Sequence, residues 1–496
     1  MSLDKFTNIK NQNLKINFNH KETDGYRDEN EQIQNNFTSQ LIHKSKLAKH
    51  LFALNFNEQI MSTPSDRSQD QLFSDRRGSD TPDDYVNSLG GSFMYGAERK
   101  INEKSKLLIN SSLRVKNSYS DLQSSSYPSY SDTRLINLQI SPRINQKAYV
   151  IKKNLSINYG LDLQVADYES FRKKDENAIA LHEYDGTQKT ISTFSQAKLF
   201  INESLSIGLG LRVQNNQILI RDFLDTSAPD YAGWQTQHDR FSDSETNVLG
   251  NIGFNKKINN FHTLYGRLGN GFRYPNIDDR IGGSGGTSLY LKTQKTLDLE
   301  LGNSFNFKKS NYDISLYLIE GKNELTYDTD AFENINMNST RRFGIEFDTI
   351  NELSDKIKIT NNFTFAKAKY TSENQGTYAT DFKSKDVPLV PQYSLDSSAS
   401  FKISDEDIIN LSFKYQDDMR MESDDENFQD TKIPSYFITS IGFLTKIAIF
   451  KISVDINNIF DIKYHNYAVS SSSTNGAYNA YPEPGRVLSL NAETKF

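Results

Sequence analysis

The chain has 496 residues, 24% of them charged, with a formal net charge of -6 at pH 7 and no cysteine. That excludes disulfides, thiolate metal sites and cysteine nucleophiles, and it leaves no electrostatic footprint for nucleic acid. Hydrophobic residues are only 36%, yet 26 Tyr and 31 Phe are far too many for a disordered chain, a pairing expected of strands that are apolar on one side and joined by long polar loops.

From the N-terminus, Met1-Ser2-Leu3-Asp4-Lys5-Phe6 carries no apolar signal-peptide core. No run of about 18 apolar residues follows anywhere, so no transmembrane helix is expected. Alternation begins clearly at Leu107, Ile109, Leu113 and Val115, which face away from Asn110, Ser112, Arg114 and Lys116. It is strictest at residues 155–165, where Leu155, Ile157, Tyr159, Leu161, Leu163 and Val165 alternate with Ser156, Asn158, Gly160, Asp162 and Gln164. Leu205, Ile207, Leu209, Leu211 and Val213 repeat the pattern. A period of two puts each apolar set on one face of a strand, and these runs match the roughly 9–11 residues that a tilted strand needs to cross a bilayer.

Short polar turns separate the strands near residues 11–13, 44–46, 102–104, 152–154, 202–204, 259–260, 309–311, 354–356, 404–406 and 445–446. Most recur about every fifty residues, a period that signals a repeat architecture. Between them lie long polar segments, such as 62–84, 168–187, 222–243 and 417–430. The spacing predicts an all-β fold: a large antiparallel transmembrane β-barrel of about 22 strands, about 21 of them visible in this chain, with short periplasmic turns and long extracellular loops. In the last strand Leu488, Leu490, Ala492 and Phe496 share a face opposite Ser489, Asn491, Glu493 and Lys495. An aromatic end suits the membrane interface and closure against the first strand.

From Gly269 onward the residues resemble a known family. The stretch Gly269-Asn270-Gly271-Phe272-Arg273-Tyr274-Pro275-Asn276-Ile277-Asp278-Asp279 resembles a segment of TonB-dependent outer-membrane receptors. Leu297-Asp298-Leu299-Glu300-Leu301-Gly302 is similar to the family's next element, although Thr293-Gln294 stands where Pro-Glu is common. Phe343-Gly344-Ile345-Glu346-Phe347 resembles the Gly-x-Glu strand, and Val387-Pro388-Leu389-Val390-Pro391 a late Pro-x-x-Pro. Asn457-Asn458-Ile459-Phe460-Asp461-Ile462-Lys463-Tyr464 and Tyr481-Pro482-Glu483-Pro484-Gly485-Arg486 resemble the segments that precede the last strand. The plain reading of all these residues is barrel-building punctuation, with Gly and Pro setting turns at strand ends and Arg273 and Arg486 in ion pairs.

The resemblance implies residence in the bacterial outer membrane, contact with its lipid, and energy-coupled import of a scarce nutrient, an iron-siderophore, haem or corrinoid. It also implies an N-terminal plug, gripped by a TonB-type energy-coupling complex of the inner membrane. No stretch ahead of the barrel is expected to fold as a plug. Residues 1–496 are therefore expected to be one barrel domain, a fragment without plug or signal peptide that reaches the coupling complex only through a plug not present here.

No enzyme is expected. Gly282-Gly283-Ser284-Gly285-Gly286 formally matches a nucleophile elbow, but no strand-turn-helix context surrounds it. The seven histidines show no metal spacing, and no cofactor or metal is called for. Acidic clusters at Asp80 to Asp84, at Asp278-Asp279 and at Asp424-Asp425-Glu426 offer oxygens to calcium, against the commoner reading of solvated loop charge. For a metal-chelate or vitamin ligand the candidates are loop aromatics and their charged neighbours: Tyr127, Tyr130, Tyr231, Trp234, Arg273 and Tyr274. Trp234, in mid-loop, is the first to test. The alternative function is a passive porin or structural outer-membrane protein, which a loop folded into the lumen would favour. A soluble β-propeller is third, and it would show a per-blade motif that is absent.

Overall fold

The computed structural model describes residues 2–9, 11–122, 129–229, 237–281, 290–328, 333–337, 339–372, 382–471 and 473–494. Twenty-one strands form one sheet. From Ser2–Ile9 to Val487–Thr494, each strand pairs antiparallel with the next in sequence order. By parity the first and last strands run the same way. The short connections fall at residues 10–11, 45–47, 101–104, 151–152, 201–204, 258–261, 307–309, 355–356, 403–407 and 448–449, each within a few residues of a turn expected from sequence. At the tightest, Ile151 and Lys152 both adopt positive φ (51° and 59°), the conformation a two-residue hairpin needs to match strand twist.

The alternation resolves into two environments. Along Lys153–Lys173, Leu161, Leu163 and Val165 are 46%, 39% and 42% exposed, and the residues between them turn to the other side of the wall. Their apolar cross-strand neighbours, including Leu138 and Ile191, are also exposed. A soluble core would bury these side chains. Exposed in a continuous band on a barrel, they face lipid.

The chain departs from expectation at residues 168–187, of which 168–173 and 180–187 are strand and not loop. Lys153–Lys173 and Ala180–Phe200 stay paired up to Ala180↔Lys173, leaving only 174–179 as the connection. Each has 21 residues, about 70 Å at some 3.3 Å per residue, roughly twice what a bilayer requires. Beyond the membrane the ladder still satisfies the backbone, but nothing demands an apolar outer face, so alternation fades while the strand continues.

The long loops pack on one another. Leu72, Met419, Met421, Ile433, Ala468 and Ala480 form a buried cluster drawn from loops 63–84, 417–435 and 458–486. The two-residue strand Arg67–Ser68 adds to the hairpin His465–Ser470 and Tyr478–Pro482, and the Arg76 guanidinium donates to the Tyr464 carbonyl. These loops come from near opposite ends of the strand order. Their union curls the sheet round on itself.

Candidate functional site

Loop 274–293 starts where the wall parts. Strand His262–Arg273 pairs with Phe241–Lys257 only as far as Asn251↔Gly269, yet stays with Gln294–Asn306 up to Arg273↔Gln294. Asn270 closes the parted edge: its amide donates to Val248 O (2.8 Å) and its Oδ1 accepts from Gly250 N (2.7 Å).

Past Arg273 the chain turns inward over strands 153–224. The Tyr274 hydroxyl lies between Gln214 O (3.1 Å) and Glu245 O (3.2 Å), and Pro275 is fully buried. Asn276 then caps the one-turn helix Ile277–Arg280 in a reciprocal box with Asp279. Ile277 and Ile281 bury against Tyr168, Tyr184, Ile218 and Ile220, residues on the same strand faces as the polar wall below them. Gly186 makes the seat, since a Cβ there would lie 2.8 Å from Ile277 Cγ2. The Tyr168 hydroxyl donates to Asp278 at 2.7 Å. Arg273 donates to both oxygens of Asp279 at 3.0 Å. The Arg280 guanidinium stacks over Phe241 at 4.9 Å, and its burial pushes the pKa down, while Asp243 and Asp279 push it up.

Beneath this segment the inner wall encloses a cavity of about 580 Å3, whose lining includes Lys116, Asn137, Gln164, Arg172, Gln188 and Asp278. A second, of about 250 Å3, adjoins it through Gln164 and Gln188 and holds the Arg212–Asp162 ion pair (2.6 Å). The larger lies within the size range of ligand pockets. It presents two cations, many amide and hydroxyl groups, and one carboxylate engaged by a tyrosine: a surface suited to a polar or anionic solute.

The acidic clusters have protein partners. Asp80 meets Arg67 at 3.0 Å and accepts from Gln71. Asp424, buried, meets Arg420 at 3.0 Å and accepts from Gln429 N at 3.1 Å. Asp425 accepts from the Tyr370 hydroxyl. Burial drives the pKa values of Asp425 and Glu422 up, and neighbouring carboxylates add to the effect. Among the described residues no group of His, Asp and Glu is placed to hold a metal ion.

Of the residues singled out for ligand binding, Tyr127, Tyr231 and Trp234 lie outside the described residues, as do Gly282 to Gly286 and Phe496. Tyr130 is buried, with Lys173 Nζ 5.8 Å from its ring centre, on the opposite strand face from Ser131, which lines the cavity. Arg273 and Tyr274 are brought together, but both are engaged in anchoring the inward segment. The other family-like positions are wall fittings. Tyr265 covers Gly302, where a Cβ would be 2.2 Å from the ring, and donates to Asp313 at 2.7 Å. Tyr317 covers Gly344 in the same way one strand pair on. A Cβ on Gly271 would meet Thr296 at 2.7 Å, and Phe272 sits edge-on to Tyr274. Glu300 lies across from Arg267, and Glu346 across from Ser315. Asn458 and Asp461, both at positive φ, shape the turn after Phe450–Asn457. Phe460 is exposed, the Tyr464 ring packs at a tilt against Tyr436, and Pro484-Gly485-Arg486 returns to Asp461, whose Oδ1 accepts from Arg486 N at 2.8 Å. The Arg486 guanidinium donates to Ile459 O at 3.4 Å. The cavity residues Lys116, Gln164, Arg172 and Gln188 were not singled out from sequence. Lys116 and Gln164 carried only the signal of a polar face on an alternating strand, and Arg172 fell in a stretch read as loop.

The family model described as "TonB dependent receptor-like, beta-barrel" matches residues 17–459. No curated protein matches the chain. Among solved structures, the ferric citrate transporter FecA in its unliganded form superposes with a TM-score of 0.84 at 14% identity, covering 100% of this chain and 75% of that one. The ferric yersiniabactin uptake receptor FyuA from Yersinia pestis gives 0.80 at 14%, covering 100% and 77%. The copper transporter OprC gives 0.76 at 13%, also covering 100% and 77%. At such identities the likeness is one of fold.

Proposed function

The chain belongs to the TonB-dependent receptor β-barrel family, and from that premise we propose that it takes up a metal chelate or a vitamin through its lumen. It resides in the bacterial outer membrane. The observation that carries the reading is the polar cavity of about 580 Å3 on the inner wall beneath residues 274–281. Lys116 and Arg172 would meet the anionic groups of a chelate, and Gln164, Gln188 and Asn137 its hydrogen-bonding rim. The solved neighbours named for ferric citrate, ferric yersiniabactin and copper support a metal ion or an open-chain metal chelate over the macrocycles haem and corrinoid. Energy would come from a TonB-type complex acting through a plug in the lumen.

The test is uptake of ferric citrate, an iron-catecholate and cobalamin by cells that make the protein, against the same cells with its gene deleted. One ligand should enter only with the gene present, stop when an uncoupler collapses the proton gradient, and be lost in Lys116→Glu with Arg172→Glu. Uptake indifferent to the uncoupler would sink this reading. It would favour the second, a passive channel, for which the inward fold of residues 274–281 speaks because it narrows the lumen.

A further inference from the structure

The outer wall has a depression of about 610 Å3, lined mainly by outward-facing Leu107, Ile144, Tyr159, Leu161, Leu211 and Val213. Its origin lies in three sequence choices. Pro142 stands inside a strand whose two neighbours both pair with it, and proline has no N–H to give. The ladder between Tyr130–Val150 and Lys153–Lys173 accordingly skips from Ile140↔Leu163 to Arg143↔Gly160. Gly160 faces this break with a Cβ position only 2.3 Å from Pro142 O, so no side chain can stand there. On the next strand Thr193 and Ser195 occupy outward positions where longer apolar side chains would close the surface. Thr193 turns its hydroxyl back onto the wall, toward Gly160 O.

We infer that this groove is a binding site for an acyl chain of an outer-membrane lipid. Gly160 sits at the middle of the lipid-facing run 155–165, so the groove opens at mid-bilayer depth and is continuous with the membrane-facing band. Its apolar lining asks for hydrocarbon, not a headgroup, and its volume exceeds the ordinary gaps between side chains. A second barrel is a poor occupant, because a two-fold contact would set the groove against its own copy, and two concave surfaces do not fill each other. Close packing around a seated chain, which lipid elsewhere on the wall does not obtain, supplies the preference.

The whole protein is reconstituted into phosphatidylcholine vesicles that carry a diazirine midway along one acyl chain. After irradiation, adducts are mapped by peptide mass spectrometry. Peptides around Leu161 and Thr193 should carry about fivefold more adduct than the strand Gln294–Asn306, the ratio a small packing preference would give. Leu297, Leu299 and Leu301 make that strand a fair control, being as exposed as the groove residues. Ser195→Phe should bring the groove peptides down to the control level while the heat-resistant gel band is kept. If that variant does not fold, Thr193→Leu fills the same depression with less bulk. Adduct spread evenly round the barrel, adduct unchanged by filling, or crosslinks between barrels in place of lipid adducts would each overturn the site.

Discussion

Tyr168 and Asp278, 110 residues apart, are joined by a 2.7 Å hydrogen bond from the phenol to the carboxylate. That bond fastens residues 274–281 to the inner wall, together with the Ile277 seat on Gly186. Tyr168→Phe removes the donor and should loosen the segment by about 1.5–3 kcal/mol, the range for a bond to a charged group. Hydrogen exchange in the peptide covering 274–281 should speed up while exchange in the strands stays put. Unchanged exchange would mean that the apolar seat alone holds the segment.

The assignment of lipid and lumen faces predicts opposite outcomes at adjacent positions. Leu163→Arg puts a cation on the lipid side near mid-bilayer and should cost about 2–4 kcal/mol. Gln164→Arg, one residue on but facing the lumen, should stay within about 0.5 kcal/mol of the parent. Urea titration of folding into lipid vesicles measures both. Equal losses would contradict the orientation.

Gly302 leaves room for the Tyr265 ring, which then reaches Asp313. Gly302→Val would drive the ring out and lose that bond, an overpacking cost of about 1–3 kcal/mol. The gel band of the folded barrel should give way at a lower temperature. Tyr265→Ala in the same chain should recover part of the loss, because the two residues act on one contact.

His465 lies buried in the loop hairpin, and burial lowers its pKa to about 4 from the ordinary 6.5, with Arg76 adding to the shift. A base held neutral in the fold contributes stability that is full above the unfolded value and is lost as pH falls toward the folded one. The window is therefore pH 6.5 to 4, worth about 3 kcal/mol at most. A spin label at the exposed Ser473 should gain mobility between pH 7 and pH 5. In His465→Phe that change should vanish.

The strand number and the ten short turns were legible because each depends on a few neighbouring residues. Polar turn formers break an alternation that lipid enforces. Residues 168–173 and 180–187 read as loop because, outside the bilayer, nothing forces an apolar outer face on a paired strand. The inward segment was half legible. The capping box at Asn276 and Asp279 is a local pattern, but its seat needs Gly186 and Tyr168, set by register and not by sequence proximity. For the same reason the cavity was not legible, being lined by Lys116 and Arg172 from strands that only pairing brings together.

The hairpin that takes Arg67–Ser68 as its third strand has a consequence for assembly. The Arg76 contact to Tyr464 spans 388 residues, so the outer mouth cannot set until nearly all the polypeptide has been exported and threaded into its ladders. Contacts so distant in sequence form late and slowly. A chain stalled in insertion would therefore hold an unfinished rim, with Leu72 and Met421 uncovered, and that rim is a natural mark for quality-control proteases to read.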